Sequence, residues 1–203
     1  MPFKTPIAPL HLRGRHVSLE PLAPTHAAEV AEAAAEGEIW RTWYTLIPPP
    51  DQAAAEIQRR LDLQARGSML PFAVRDAQDR FAGMTTFMNI DAAHARVEIG
   101  STWYRPSVQR TALNTEAKRL LLGHAFETLG CIAVEFRTNW FNHASRAAIA
   151  RLGAKQDGVL RNHQRLPDGS LRDTVVFSII ESEWPAVRRH LDWQLEKPRA
   201  TVP

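Results

Sequence analysis

The stretch from Trp103 to Gly130, WYRPSVQRTALNTEAKRLLLGHAFETLG, limits the fold more than any other. A strand pattern ending near Tyr104 runs into Arg105-Pro106-Ser107, where proline removes a backbone donor and stops a ladder. A short polar loop, Gln109 to Asn114, then opens a helix. Thr111, Asn114 or Thr115 each suits the N-cap, and Glu116 suits the first turn. Leu113, Ala117, Leu120, Leu121 and His124 form one helical stripe, with Leu122, Phe126 and Leu129 adding a second. Such a helix is apolar over most of its surface and has to be buried. Gly130 ends it. A strand, a loop and a buried helix N-terminus gather unpaired N–H groups and the positive end of the helix dipole at one place, and Arg110 adds a cation. The pattern is equally that of an ordinary β–α connection.

The flanking chain narrows the choice. Three strand patterns precede this stretch: Leu70 to Asp76, Phe81 to Ile90 and Ala95 to Trp103, joined by the short turns Ala77-Gln78-Asp79 and Asp91-Ala92-Ala93. Turns this short dictate an antiparallel meander. A strand from Ile132 to Thr138 follows the helix, so the helix implies a parallel step. Upstream, Arg15 to Leu22 alternates as a first strand. Helices are expected from Pro24 to about Glu36 and from Gln52, capped by Asp51, to about Ala65. Between them EIWRTWYTLIPPP places Trp40, Trp43 and Tyr44 on neither a strand nor a long helix, where they line a pocket or cover a core edge. Downstream, Asn142 caps a helix stopped by Gly153. Lys155–Arg165 and Leu171–Ile180 form a hairpin across Pro167-Asp168-Gly169-Ser170. Ser182 caps a last amphipathic helix, 183–196. The order is that of a mixed α/β fold in one domain over residues 1–203, with 1–10 a loose arm.

Composition excludes more than it selects. The net charge of +3, with the arginines dispersed, is too weak for nucleic-acid binding, although it suits an anionic ligand. The one cysteine, Cys131, rules out an internal disulfide and a thiolate metal cluster; it begins an apolar run, as a buried structural thiol does. No His/Asp/Glu cluster has ligand spacing, so no metal is expected. No G-x-S-x-G and no G-x-x-x-x-G-K occurs, which argues against α/β-hydrolase and P-loop readings. Pro and His near the start do not suit a signal peptide, and no apolar run approaches the ~20 residues of a membrane span. A cytoplasmic protein without membrane contact is the expectation.

Five stretches in this order resemble the GCN5-related N-acetyltransferase (GNAT) superfamily, in its branch of ribosomal-protein N-terminal acetyltransferases, over roughly residues 10 to 182. LRGRHVSLEPL resembles the family's first strand and EIGSTWYRPS its fourth. QRTALNTEAKRLLLGHAF resembles its pyrophosphate loop and helix, NHASRAAIARLGA its N-x-x-S helix, and GVLRNHQRLPDGSLRDTVVFSI its closing hairpin. The resemblance implies a mostly antiparallel twisted sheet of about seven strands, splayed between strands 4 and 5, with helices on both faces. It implies acetyl-CoA as donor, a primary amine as acceptor (a protein N-terminus, a small amine or an amino-acid-like compound), and allows a homodimer.

The resemblance also implies roles. Gln109, Arg110, Thr111, Ala112, Leu113, Asn114 and Thr115 take the pyrophosphate, although Ala112 and Asn114 stand where the family has small glycines. Ala is still compact and Asn tolerates unusual backbone angles. The edge of Thr102, Trp103 and Tyr104 takes the pantetheine arm by main-chain hydrogen bonds, and an N–H exposed there can hold the thioester oxygen. Asn142, Ser145 and Arg146 bind the cofactor from the following helix. Glu98, alternating with Val97 and Ile99, faces the acceptor cleft as base or water-positioning group; otherwise it is a strand-surface carboxylate paired with Arg96 or Arg75. Many members carry a tyrosine acid four residues after the serine; here that position is Ile149, leaving Ser145 as substitute. Trp40, Trp43, Tyr44, His163 and Asp173 belong to the acceptor side, with His163 and Asp173 a candidate pair across the hairpin. The missing tyrosine and the loop without glycine leave a second reading, a catalytically weak CoA-binding regulatory or scaffold module on the same fold.

Overall fold

The computed structural model describes residues 2–197. Eight strands form one open sheet: β1 Leu12–Arg13, β2 Val17–Pro21, β3 Met69–Asp76, β4 Phe81–Asp91, β5 Arg96–Tyr104, β6 Ala133–Asn139, β7 Lys155–Arg165 and β8 Leu171–Ile180. Their order across the sheet is β1-β2-β3-β4-β5-β6-β8-β7. The expected first strand is two short ones, which brings the total to eight rather than about seven. Every neighbouring pair is antiparallel except β5 and β6. Those two are joined through α3 (Leu113–Gly123), because a parallel connection needs a crossover.

The parallel ladder is short. Arg96, Val97 and Glu98 pair with Ala133, Val134 and Glu135, and no pairing continues beyond Glu98. β5 runs on to Tyr104 and β6 to Asn139, so the sheet parts between them. A bulge sits on β5 at the start of the parting. Thr86 pairs with Gly100 but Met84 pairs with Trp103, which leaves one extra residue on β5, and Ser101 takes a φ of 47°.

Helices cover both faces. α1 (Ala27–Ala35) and α2 (Ala53–Ala65) pack Val30, Ala33, Ala53 and Ile57 on Ala73, Met84 and Trp103. On the other face α3, α4 (His143–Arg151) and α5 (Trp184–Glu196) bury Ala117, Leu121, Leu122, Leu152 and Leu191 with Phe72, Phe87 and Phe136. After α3 the helix widens into a π-helical turn, His124–Leu129, and ends at Gly130 with a φ of 71°.

Several expected details differ. Residues 3–10 are not a loose arm. Phe3 N–H donates to the Ala92 carbonyl at 3.1 Å and Lys4 N–H to the Leu129 carbonyl at 2.8 Å, while Phe3, Ile7 and Leu10 pack on the core. Asp51 and Ser182 do not cap their helices. Each lies inside a 3₁₀ turn, Pro50–Gln52 or Glu181–Glu183, that precedes the helix proper. The N-cap of α3 is Ala112, not Thr111, Asn114 or Thr115, although Thr111 Oγ1 accepts from Leu113 N–H at 3.3 Å.

A clasp that local pattern does not reveal fixes the start of α3. Glu116, in its first turn, turns back to the β1–β2 turn and accepts the N–H groups of Arg15 (2.9 Å) and His16. Gly14 makes the approach possible, since a Cβ there would lie 2.4 Å from Cδ of Glu116.

Candidate active site

The site is built where β5 and β6 part. α3 opens just beyond β5, and its first backbone bond is Glu116 N–H to the Ala112 carbonyl at 3.0 Å. Leu113 N–H is taken by Thr111. The N–H groups of Asn114 and Thr115 therefore have no partner among the described residues and point out of the helix start. The left-handed backbone in this loop falls on Arg110, with a φ of 62°, while Asn114 is helical. Gln109 folds back, its Nε2 donating to the Tyr104 carbonyl at 3.0 Å. Gln109 and Arg110 are exposed, and Ala112, Leu113 and Thr115 are buried. A cavity of about 370 Å³ adjoins the loop, and Arg15, His16, Arg80 and Lys197 give it a positive lining.

From the β6 side, α4 begins beside the parting. Asn142 Oδ1 accepts Ser145 N–H at 3.0 Å, the expected cap. Arg146 folds onto Trp140: its guanidinium lies 4.3 Å from the ring centroid and donates to the Trp140 carbonyl at 3.2 Å. Ile149, at the position where a tyrosine acid is usual, is buried in the core. Both parting strands end on a buried polar atom with no protein partner, the Tyr104 hydroxyl and the Asn139 Nδ2. Unmet buried donors are costly, about 1–3 kcal/mol each. An amide-rich arm such as pantetheine, together with a diphosphate at the free N–H groups of α3, fits this set of donors.

The other side of β5 faces a groove of about 620 Å³ between α2 and the bulges of β4 and β5. Leu46, Ile47, Leu63 and Met88 make it apolar; Glu56 and Asn89 make it locally polar. Asn89 leads to Glu98, which is 4 % exposed, by a hydrogen bond from Nδ2 to Oε2 at 2.6 Å. The Arg137 guanidinium lies 3.5 Å from the same oxygen. Neither Arg96 nor Arg75 pairs with Glu98: Arg96 is held by Glu135, and Arg75 by Glu20 and Glu29. Burial pushes the Glu98 carboxyl above its ordinary value against the opposing pull of Asn89 and Arg137. Gly100 leaves room for this arrangement, because a Cβ there would stand 2.8 Å from Oε1 of Glu98 and 2.7 Å from Sδ of Met88.

At the rim, Trp43 stands with its ring centroid 5.5 Å from both Tyr44 and Phe141, so the aromatic loop meets the segment leading into Asn142. Trp40 is half-buried under Arg41, 5.0 Å from its centroid. The hairpin pair does not form. His163 Nδ1 lies 3.1 Å from Thr174 Oγ1, while Asp173 accepts from Arg161 (2.5 Å) and from Asn162 N–H (2.7 Å).

Several groups at the site escape sequence reasoning. Lys118 on α3 is 5 % exposed, and Arg60 on α2 is 1 % exposed. A signal for Lys118 exists, since its spacing to Leu121, Leu122 and Ala125 is that of a buried helix face. Arg172 has a buried, unpartnered Nε, and Glu98 acts on its charge. Among the described residues no group of three His, Cys, Asp or Glu is placed to hold a metal, and no helix is long and apolar enough to cross a membrane.

An open sheet that parts beside a helix start, with a carboxylate facing a groove across the strand, defines an acyltransferase architecture. The chain belongs to the GNAT acetyltransferases: residues 16–155 match the acetyltransferase (GNAT) domain. A GCN5-related N-acetyltransferase of Brucella melitensis is similar at 34 % identity, covering 95 % of this chain and 88 % of that one, with a TM-score of 0.83. An acetyltransferase of T. thermophilus is 33 % identical over 94 % of this chain and 100 % of that one, also with a TM-score of 0.83. A Bacillus subtilis protein named as a candidate ribosomal N-acetyltransferase, YdaF, is 30 % identical over 102 residues, which is 50 % of this chain and 55 % of that protein.

Proposed function

We propose that this acetyltransferase uses acetyl-CoA to acetylate a primary amine by direct attack with both substrates bound. The observation that carries the reading is the parting of β5 and β6 next to the free N–H groups of α3, with Glu98 across β5 facing a separate groove. The cofactor supplies an activated acetyl thioester. The N–H groups of Asn114 and Thr115, with Arg110, suit its diphosphate, and the β5 edge from Thr102 to Tyr104, with Asn142 and Ser145, suits the pantetheine arm.

The acceptor enters from the groove, past Trp43 and Tyr44. Amines are mostly protonated at neutral pH, the α-amine (pKa ~8) less so than a lysine side chain (~10.4). Glu98 takes the surplus proton directly or through a water. Its raised pKa brings it nearer to the working pH, which favours a base. Ser145 is placed to hydrogen-bond the departing sulfur. YdaF makes a protein N-terminus the first acceptor to try, since an α-amine needs the least help from a base.

Calorimetry with acetyl-CoA on wild type and on Asn114→Asp, followed by release of free thiol with a panel of peptides and small amines, tests the reading. Micromolar binding lost in the variant, with amine-dependent thiol release, is expected. Binding without release by any amine favours the regulatory module, and no binding sinks the cofactor assignment.

A further inference from the structure

Two buried cationic side chains from helices on opposite faces of the sheet grip the β5 bulge. From α2, Arg60 Nη1 donates to Thr86 Oγ1 at 2.9 Å and to the Ser101 carbonyl at 3.3 Å. From α3, Lys118 Nζ lies 2.8 Å from Thr102 Oγ1 and 3.1 Å from Thr85 Oγ1. The two threonine hydroxyls also meet at 2.7 Å, and Thr102 Oγ1 reaches the Gly100 carbonyl at 3.3 Å. Arg60 has a carboxylate partner, Glu56, at 2.7 Å.

No carboxylate partners Lys118 among the described residues. Two hydroxyl acceptors match the two N–H bonds of a neutral amine, and a third proton would be left buried and unpaired. Burial alone pushes the amine down to about 7. A buried lysine is an expensive way to brace a sheet, and methionine would fill the same space without that cost. Gly100, Ser101 and Thr102 lead into the strand edge that faces the parting, so what Lys118 holds in place is the backbone there.

We propose that Lys118, with Arg60 opposite it, is a positioning residue for the acyl donor: through Thr102 it fixes the β5 backbone that holds the thioester oxygen. The inference rests on the cofactor reading above. A backbone donor aimed at a developing oxyanion loses its value when it can drift, and one such donor contributes about 10²–10³ in rate.

The test uses Lys118→Met, Thr102→Val and the double variant in the full chain. Affinity for CoA and for acetyl-CoA is measured by calorimetry, and the bound carbonyl of [1-¹³C]acetyl-CoA by NMR. Wild type should bind acetyl-CoA better than CoA and shift the carbonyl resonance. Lys118→Met should keep its affinity for CoA, lose the preference and return the resonance toward its free value. Its kcat for thiol release should fall about tenfold or more at unchanged KM, since the donor is misplaced rather than removed. Lys118→Gln, which keeps two N–H donors, should recover part of the shift and serves if the methionine variant does not fold. The double variant should lose no more than either single one. A wild-type carbonyl shift and acetyl preference in Lys118→Met overturn this inference alone. Failure of wild type to bind either thioester or thiol overturns the cofactor reading as well.

Discussion

The side-chain amide of Asn89 donates to Oε2 of Glu98 at 2.6 Å, from a bulge where Asn89 itself has a φ of 46°. This bond and the nearby Arg137 both favour the carboxylate, while burial opposes it. The acidic limb of kcat/KM should therefore lie above the ordinary carboxylate range. Asn89→Ala and Arg137→Met each remove a lowering influence, so each should move the limb to higher pH. Glu98→Gln should abolish the limb and lower kcat/KM by about 10²–10⁴, the usual contribution of a positioned base. A limb that stays put in both partner variants excludes Glu98 as the titrating group.

Gly100 is a second handle on the same carboxylate. Alanine there would set its Cβ 2.8 Å from Oε1 of Glu98 and 2.7 Å from Sδ of Met88, so both side-chain ends must move. Both are flexible ends, so Gly100→Ala should unfold within about 1 kcal/mol of wild type. Turnover should nevertheless fall at least tenfold, because the base is displaced from its partner. Equal turnover in the two proteins would show that the acceptor does not depend on this placement.

Lys118 should leave a mark on stability. Its folded pKa of about 7 lies below the ordinary 10.5, so between these values the unfolded chain binds a proton that the native chain does not. Wild-type stability should accordingly rise with pH across this interval relative to Lys118→Met, by at most ~1.4 kcal/mol per pH unit, and the difference should flatten below pH ~7. Urea unfolding of the two proteins at pH 7, 8 and 9 reads the slope directly. Parallel curves would mean the amine is charged in the native state.

The Glu116 clasp is structural. Glu116→Ala leaves the N–H groups of Arg15 and His16 buried without an acceptor, which should lower stability by about 1–3 kcal/mol. Gly14→Ala should break the same contact from the other side, since its Cβ would fall 2.4 Å from Cδ of Glu116. The two losses should not add, because each removes one shared interaction. Thermal melts of both variants and of the pair decide this.

What is legible in the chain is what short-range chemistry dictates. The hairpin Lys155–Arg165 with Leu171–Ile180 follows from one turn and two alternating runs, and Asn142, Gly130 and Gly153 punctuate their helices as their residue types demand. Alternation along β5 also separates Glu98 from Val97 and Ile99. The features that sequence misses depend on register or on tertiary neighbours. His163 misses Asp173 because the β7–β8 register shifts between Leu160 and Gln164, with Asn162 at a φ of 49°. Asn89, Arg137 and the two threonines under Lys118 come from other strands, so no local window could supply them. The starts of α2 and α5 defeat local pattern because each helix is preceded by a 3₁₀ turn that periodicity does not separate from the helix.

The brevity of the β5–β6 ladder has a consequence for how the molecule holds together. On either side of Arg96–Glu98 the sheet consists of ribbons that close locally, β1 to β5 on one side and β6, β8 and β7 on the other. Their junction is the most non-local step in the chain and therefore the slowest to form. It is also the first ladder expected to open in amide exchange, since few backbone bonds span it. A molecule lying along the parting touches both ribbons, so its binding free energy adds directly to their cohesion. Occupancy and cooperativity of unfolding are thus one property in this protein, set at a seam three residues long.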